Sequence, residues 1–247
     1  MINIIRFIRN TISRKENRKI RALQSFGRFL FPNYRFCWPH LDWWEDETFN
    51  TYLNRFGELD GLNTQRKWML SQLLRLSQNV EGDTAECGVL YGASSYIICE
   101  SNAISRIHKV HHCFDSFEGL SEPTLADSSY WHGGDLKSSR DVLEDNLSPF
   151  SNVEIHQGWI PEKFSEVEGV IFSFVHVDVD LHEPTMSSIQ FMYPRMNIGA
   201  VFVCDDYGFK TCPGATTAID EYLKDKPECM IKLDCGGGFF IKTAEPI

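Results

Sequence analysis

The chain has 247 residues, 43% of them apolar, and a formal net charge of −10. That length allows one large α/β domain or two small ones. No run approaches the roughly 18–20 apolar residues of a membrane-spanning helix, and an acidic body excludes nucleic acid as the main partner. The charge is unevenly spread, because residues 1–31 hold eight Lys/Arg against Glu16 alone and leave the remainder at −17. The opening MINIIRFIRNTISRK is interrupted by Arg6 and Arg9, unlike a secretory leader. Eight cysteines without a CxxC read as reduced thiols of a cytoplasmic protein.

In chain order, Ile4, Ile5, Ile8 and Ile12 recur at helical spacing within the basic arm. The arm reads either as an interfacial helix in peripheral contact with an anionic membrane, or as a surface helix packed on the domain or on another subunit of a homo-oligomer. Residues 32–62 are rich in aromatics, including Trp38, Trp43, Trp44, Phe49, Tyr52 and Phe56, and form either a cap over a site or plain packing. Residues 1–62 are therefore expected to be an N-terminal extension and 63–247 the catalytic domain. A helix capped at Asn63 follows, with Trp68, Leu70, Leu73, Leu74 and Leu76 as its apolar members. Strands are then predicted at Thr84–Cys87, Val110–Phe114, Val153–Gln157, Val170–Asp178 and Ala200–Asp205, with a final pair at Met230–Leu233 and Phe239–Lys242. Helices are predicted at Ala93–Ser105, Ser138–Leu147, Pro184–Met196 and Ala215–Lys224. Alternation of this kind implies βαβ units and a mainly parallel sheet covered on both faces.

Four motifs carry chemistry. In ECGVLYGASS a first strand turns into a helix, and the candidate ligand-binding residues are Glu86, Gly88, Val89, Gly92, Ser94 and Ser95. Glycines there admit a ligand to the backbone and the helix N-terminus offers free N–H groups. The acid before the turn repels a pyrophosphate but suits the cationic amino group of S-adenosylmethionine; the plain alternative is a tight turn with Glu86 in an ion pair. In FDSFEGL, Asp115 ends the second strand, where an acid binds ribose hydroxyls in Rossmann-like folds, or else caps a turn. Ser116 and Phe117 follow it. Gln157, Gly158 and Trp159 follow the third strand, where an aromatic ring can stack on adenine or belong to the core. Finally, Asp178, Asp205 and Asp206 end two apolar runs, FSFVHVD and AVFVCDD. If those strands are neighbours, three carboxylates meet at one sheet edge, and a divalent cation relieves their repulsion. Asp180 shares the face of Asp178 if that strand continues.

ECGVLYG, FDSFEGL, GWIPEKF, HVDVDLHEPT, YPRMNIGAVFVCDDYG and CPGATTAIDEYL occur in this order. Together, over about residues 64–245, they resemble the macrocin O-methyltransferase family. The resemblance implies a Rossmann-like class I methyltransferase fold, with a mainly parallel seven-stranded sheet, and a reaction that uses S-adenosylmethionine and Mg²⁺. It implies that Glu86, Gly88 and Gly92 shape the methionine end of the donor site, that Asp115 binds the ribose, and that Ser116 and Phe117 lie near the adenine. It makes Asp178, Asp205 and Asp206 the metal ligands, with Asp178 also bordering the donor. Family members usually read DLYEPT, whereas this chain places His182 where the tyrosine stands. His182 is then either a base or a tolerated aromatic substitution.

The implied reaction transfers a methyl group to a hydroxyl of a sugar with vicinal hydroxyls, which the metal acidifies and a general base deprotonates. The candidate bases are Asp180, then His182. Tyr130, Trp131 and His132, in the insertion after FDSFEGL, either meet the acceptor or form an ordinary surface loop. Three other readings compete: a catechol or phenol acceptor with the same fold and metal, an NAD-dependent oxidoreductase, and a non-catalytic scaffold using the basic arm. The oxidoreductase calls for GxGxxG at the first turn, where this chain has ECGVLYG.

Overall fold

A computed structural model describes residues 18–31, 41–59 and 63–243. The isoleucines of the basic arm and Trp38 fall outside these residues. The chain divides into two compact units, Met1–Arg55 and Phe56–Ile247. In the first, residues 18–30 form helix α1, and helix α2 (Glu47–Phe56) follows a short 3₁₀ turn at Asp42–Glu45. Trp43 sits edge-on to Trp44 and Phe49, and Phe49 stacks on Tyr52 at 5.7 Å.

The second unit begins with helix α3 (Thr64–Leu74) and then alternates: β1 (Asp83–Cys87), α4 (Ala93–Ala103), β2 (His111–Asp115), α5 (Arg140–Leu147), β3 (Val153–Gln157), β4 (Phe172–Val177), α6 (His182–Met192), β5 (Met196–Cys204), α7 (Pro213–Leu223), β6 (Ile231–Lys232) and β7 (Gly238–Ile241). The strands form one seven-stranded sheet in the order β3-β2-β1-β4-β5-β7-β6. β1 to β5 are parallel and β7 is antiparallel to both neighbours. This is the mainly parallel seven-stranded arrangement expected. β1 pairs with β2 on one side and β4 on the other, so the strand order reverses there and opens a crevice at the strands' carboxyl ends.

Side chains alternate across the sheet. Ala85, Cys87 and Phe114 join a core with Ile189 and Met192 of α6 and Ala215 and Ile219 of α7. Cys113 joins a separate core with Cys99 of α4 and Leu143 and Leu147 of α5. Helices thus cover both faces. Among the described residues, Cys87, Cys99, Cys113, Cys204 and Cys212 are buried free thiols, and no helix is long and apolar enough to cross a membrane.

Several boundaries differ from expectation for identifiable reasons. α6 starts at His182, with Pro184 in its first turn, where a missing N–H costs nothing. It ends at Met192, because Pro194 disfavours α-helix in the residue before it and a 3₁₀ turn takes over. Asn63 does not cap α3; its Oδ1 instead accepts a hydrogen bond from Arg66 Nη1 at 3.1 Å. β4 stops at Val177, so Asp178 and Asp180 are not on a continuing strand and period two does not govern them.

Candidate functional site

A cleft of about 490 Å³ opens at the carboxyl ends of β1, β2 and β4. Pockets of this size hold nucleoside-sized ligands. Of the residues predicted from sequence, Glu86, Gly88, Val89, Ser94, Asp115, Ser116, Gly158, Trp159, Asp178 and Asp180 line it. Gly92, Ser95, Phe117, Gln157, His182, Asp205 and Asp206 do not.

The first turn is built by hydrogen bonds between strand ends. Gly88 N–H donates to Phe114 O, and Asp178 N–H to Cys87 O, both at 2.9 Å. Gly88 has φ +79°, and a Cβ there would stand 1.9 Å from the Asp178 carbonyl oxygen. Only glycine lets β1 turn this close to the end of β4. Asp115 closes the other side. Its Oδ2 accepts from the N–H groups of Val89 (2.9 Å) and Leu90 (3.1 Å), and its Oδ1 accepts from Phe117 N–H at 2.7 Å. Asp115 is therefore a turn-binding carboxylate that also faces the cleft. Phe117 is buried in the core with Leu143 and Leu147, which takes its ring away from the cleft. Gln157 is exposed and its Oε1 meets Arg140 Nη1 at 3.5 Å. Ser116 Oγ donates to Gly119 O, while Trp159 stands half-exposed on the cleft wall.

Glu86 is almost wholly buried, and its partners come from within the fold. Ser95 Oγ donates to its Oε2, which explains why Ser95 leaves the cleft. His176 Nδ1 lies 3.0 Å from Oε1 and His111 Nε2 3.7 Å from Oε2. Burial pushes the carboxyl pKa up, but the hydrogen bond with His176 and the closeness of His111 outweigh it and hold it at about 2. Burial likewise lowers His176, and the nearby Asp205 carboxylate together with the hydrogen bond to Glu86 reverses this to about 10, leaving an imidazolium.

The aspartate edge follows. β4 and β5 are parallel neighbours, so Asp178 and Asp205 emerge side by side. The carboxylates fall into two sets, each offering ligand atoms within 4.8 Å of one another: His176 with Asp178 and Asp205, and Asp180 with Asp206 and Cys212. Asp206 Oδ2 accepts from the N–H groups of Val179 (3.1 Å) and Asp180 (2.8 Å). This holds Asp180 at φ +60°, a left-handed conformation that aspartate tolerates better than most residues. Asp205 is paired with Arg66 Nη2. Burial raises the pKa of Asp178, Asp180 and Asp206, with repulsion from neighbouring aspartates adding to it. Burial also raises Asp205, but attraction to Arg66 and to His176 reverses the direction. Four carboxyl groups thus face Arg66 and His176, so acidic groups outnumber these basic ones by two. An oxygen-rich set with that excess fits a hard divalent cation such as Mg²⁺.

Cys212 Sγ lies 3.4 Å from Asp180 Oδ1 and accepts from Trp131 Nε1 at 3.3 Å. Burial pushes the thiol up to about 12, so Cys212 keeps its proton and its S–H donates a hydrogen bond to Asp180. Trp131 therefore supports Asp180 indirectly, while Tyr130 and His132 are exposed and none of the three lines the cleft. The insertion is anchored by Ser128 Oγ to Thr211 O (2.5 Å) and by Asp127 Oδ1, which accepts from His182 N–H at 2.8 Å. The His182 imidazole turns toward α7, with Nε2 3.5 Å from Glu221 Oε2. Being on the helix, it does not continue the line of Asp178 and Asp180.

Four residues escaped the sequence reading: Arg66, Lys67, His111 and His176. Lys67 is buried on the cleft wall and donates to Ser94 Oγ at 2.5 Å. Its signal was its place on the apolar stripe of α3 with Leu70 and Leu74, at i, i+3 and i+7. His176 stands inside an otherwise apolar strand run, which is a signal for a buried charge partner, whereas His111 opens β2 beside His112 and carries no such signal.

The profile of the macrocin O-methyltransferase family (TylF) matches residues 67–242. Demethyldecarbamoylnovobiocin O-methyltransferase of Streptomyces niveus is 25% identical over 189 residues, 68% of this chain and 69% of that protein. The 8-demethyl-8-(2,3-dimethoxy-alpha-L-rhamnosyl)-tetracenomycin-C 4'-O-methyltransferase of Streptomyces olivaceus is 27% identical over 156 residues, 57% of this chain and 58% of that one. The crystal structure of CalS11, a calicheamicin methyltransferase, has the same fold, with TM-score 0.64 and 16% identity over 80% of this chain and 86% of that one. The chain belongs to the macrocin O-methyltransferase family and is an S-adenosylmethionine-dependent O-methyltransferase with the class I fold.

Proposed function

We propose that this enzyme methylates a hydroxyl of a sugar, as a nucleotide sugar, a glycan or a glycosylated natural product, and that it needs a divalent cation. The observation that carries this is the carboxylate excess at the ends of β4 and β5, where Asp178 and Asp180 reach the wall of the cleft. The rhamnosyl 4'-O-methyltransferase relative supports a sugar as acceptor.

In this reading the first turn receives the methionine end of the donor. Glu86 and Lys67 offer one charge of each sign on the wall, for the donor's amino and carboxylate groups. Asp115 accepts from the ribose hydroxyls with the lone pairs its backbone bonds leave free, and Trp159 stacks on the adenine. Asp178, Asp205 and Asp206 would hold Mg²⁺, which when bound supplies Lewis acidity toward the acceptor's vicinal oxygens. Asp180 takes the hydroxyl proton. It lines the cleft, is oriented by Cys212, and has its pKa pushed up to about 6 by burial, nearer the range of an effective general base. His182 is set aside as the base because its ring meets Glu221.

The test is an acceptor screen with methyl-labelled S-adenosylmethionine, covering nucleotide sugars, glycans and phenols, with and without Mg²⁺. Label is expected on a sugar hydroxyl; EDTA removes turnover and Mg²⁺ restores it. Turnover of phenols alone would replace the sugar reading. Full activity in EDTA, or in an Asp205→Ala, Asp206→Ala double variant, would end the metal role.

A further inference from the structure

On the sheet face at the β2–β3 edge, three side chains that do not line the cleft converge. The parallel register sets His112 opposite Glu154 and Phe114 opposite His156. Side-chain alternation places Glu154 and His156 on one face of β3. His112 Nδ1 lies 3.1 Å from His156 Nε2 and 3.4 Å from Glu154 Oε2, and His156 Nε2 lies 3.9 Å from the same oxygen.

The outer nitrogen of each ring already meets a carboxylate. His112 Nε2 is 3.3 Å from Asp83 Oδ2, and His156 Nδ1 is 2.7 Å from Glu166 Oε2. Asp83 is itself aimed, because its Oδ1 accepts from Val110 N–H at 2.8 Å. A neutral imidazole carries a single N–H. When those two N–H groups donate to Asp83 and Glu166, the three inward atoms are all lone-pair acceptors. Both rings are buried, so bulk water does not separate them. Three acceptors aimed at one point repel one another unless a proton or a metal ion joins them.

We infer that His112, His156 and Glu154 form a second cation site, for a borderline divalent transition metal of the zinc class. Two imidazoles and one carboxylate suit zinc, whereas Mg²⁺ prefers an all-oxygen set. Zinc bonds of about 2.0–2.2 Å at tetrahedral angles separate ligand atoms by about 3.3–3.6 Å. The observed edges of 3.1, 3.4 and 3.9 Å bracket that spacing. Asp83 and Glu166 are the outer carboxylates that fix the tautomer and orientation of each ligating ring. The Glu154 side chain is 58% exposed and leaves the fourth position open to water. The ion ties β2 to β3 and, through Glu166, to the 3₁₀ segment Glu162–Val167. Gly158 and Trp159 of the cleft wall lie between β3 and that segment.

The experiment is a titration of the chelator-stripped full-length protein with Co²⁺, whose visible bands report tetrahedral nitrogen and oxygen ligation. One equivalent is expected to give those bands, one equivalent of Zn²⁺ to remove them, and excess Mg²⁺ to leave them unchanged. His156→Gln should abolish the bands, and Glu166→Gln should weaken affinity about 10–100-fold. Glu154→Gln changes an exposed side chain and so tests ligation with the fold kept; at least a tenfold loss is expected. Asp206→Asn should retain the bands, so failure of the Mg²⁺ reading and failure of this site are told apart. A stripped wild-type protein that gives no tetrahedral bands overturns the inference. So do bands that survive Glu154→Gln and His156→Gln unchanged, or bands lost only in Asp206→Asn.

Discussion

The two ends of the cleft solve the problem of buried charge in opposite ways. At the first turn, each carboxylate is answered from within the protein: Glu86 by Ser95, His176 and His111, and Asp115 by three backbone N–H groups. At the ends of β4 and β5, four carboxylates crowd beside Arg66 and His176, and burial, with repulsion from neighbouring aspartates, raises the pKa of Asp178, Asp180 and Asp206. The first region is complete as folded and acts as a rigid frame. The second is left with more acidic groups than basic partners. His176 belongs to both, touching Glu86 with one ring nitrogen and lying 3.8 Å from Asp205 with the other.

The sharpest way to break the comparison is to force the two regions apart. A Cβ at Gly88 collides with the Asp178 carbonyl, and φ +79° adds strain. Gly88→Ala is expected to cost about 4 kcal/mol or more, a fall in Tm of roughly 10 °C for a chain of this size. Differential scanning calorimetry checks it, and an unchanged Tm would mean that the frame yields. Next comes Glu86→Gln, which leaves the His176 imidazolium without its buried partner and should cost about 3–5 kcal/mol. The pH dependence has a definite sign. The Glu86 pKa is lowered from 4.5 to about 2, so its stabilisation is complete above pH 4.5 and is lost as pH falls toward 2. Denaturation of wild type and variant should therefore converge between pH 4.5 and 2. A gap that persists at pH 2 would refute the pairing.

How much of this was legible in the chain depended on whether a residue's role was local. The sheet was readable because apolar runs alternate with helical spacing, and β3 fell on its predicted residues. Asp178 and Asp205 were readable because each directly follows a buried strand. Ser95 and Phe117 sit within the right motifs but face inward, to Glu86 and to the α5 core. No spacing rule distinguishes a motif residue that touches ligand from one that braces its neighbour. Arg66 meets Asp205 across 139 residues of sequence, a pairing that only the folded topology creates. Asp180 reached the cleft for a reason other than the one expected: Asp206 turns it inward after the strand has ended.

Replacing Asp180 sharpens the comparison from the open side. Asp180→Asn keeps the size of the side chain and an acceptor for Cys212, but removes the proton acceptor. Turnover should fall at least about a hundredfold, equivalent to about 2.7 kcal/mol in the barrier. Donor binding, which the proposed reading assigns to the other end of the cleft, should remain, as calorimetry with S-adenosylmethionine would show. Normal turnover would remove Asp180 as the base.

Trp159 offers the smallest effect and the finest distinction. It stands on the complete side of the cleft yet is 44% exposed, so it contributes little to the core. An aromatic stack is worth about 0.5–1.5 kcal/mol, which corresponds to a loss of donor affinity of up to about tenfold. Trp159→Ala should therefore raise the Kd for S-adenosylmethionine by that factor while leaving Tm close to wild type. A core role for the ring predicts the reverse, a lower Tm with donor affinity unchanged. Because Gly158 and Trp159 directly follow β3, the same variant also asks whether the frame or the ring holds the donor. If the frame alone suffices, Trp159→Ala will bind S-adenosylmethionine as tightly as the wild type, and the stacking contact will have to be given up.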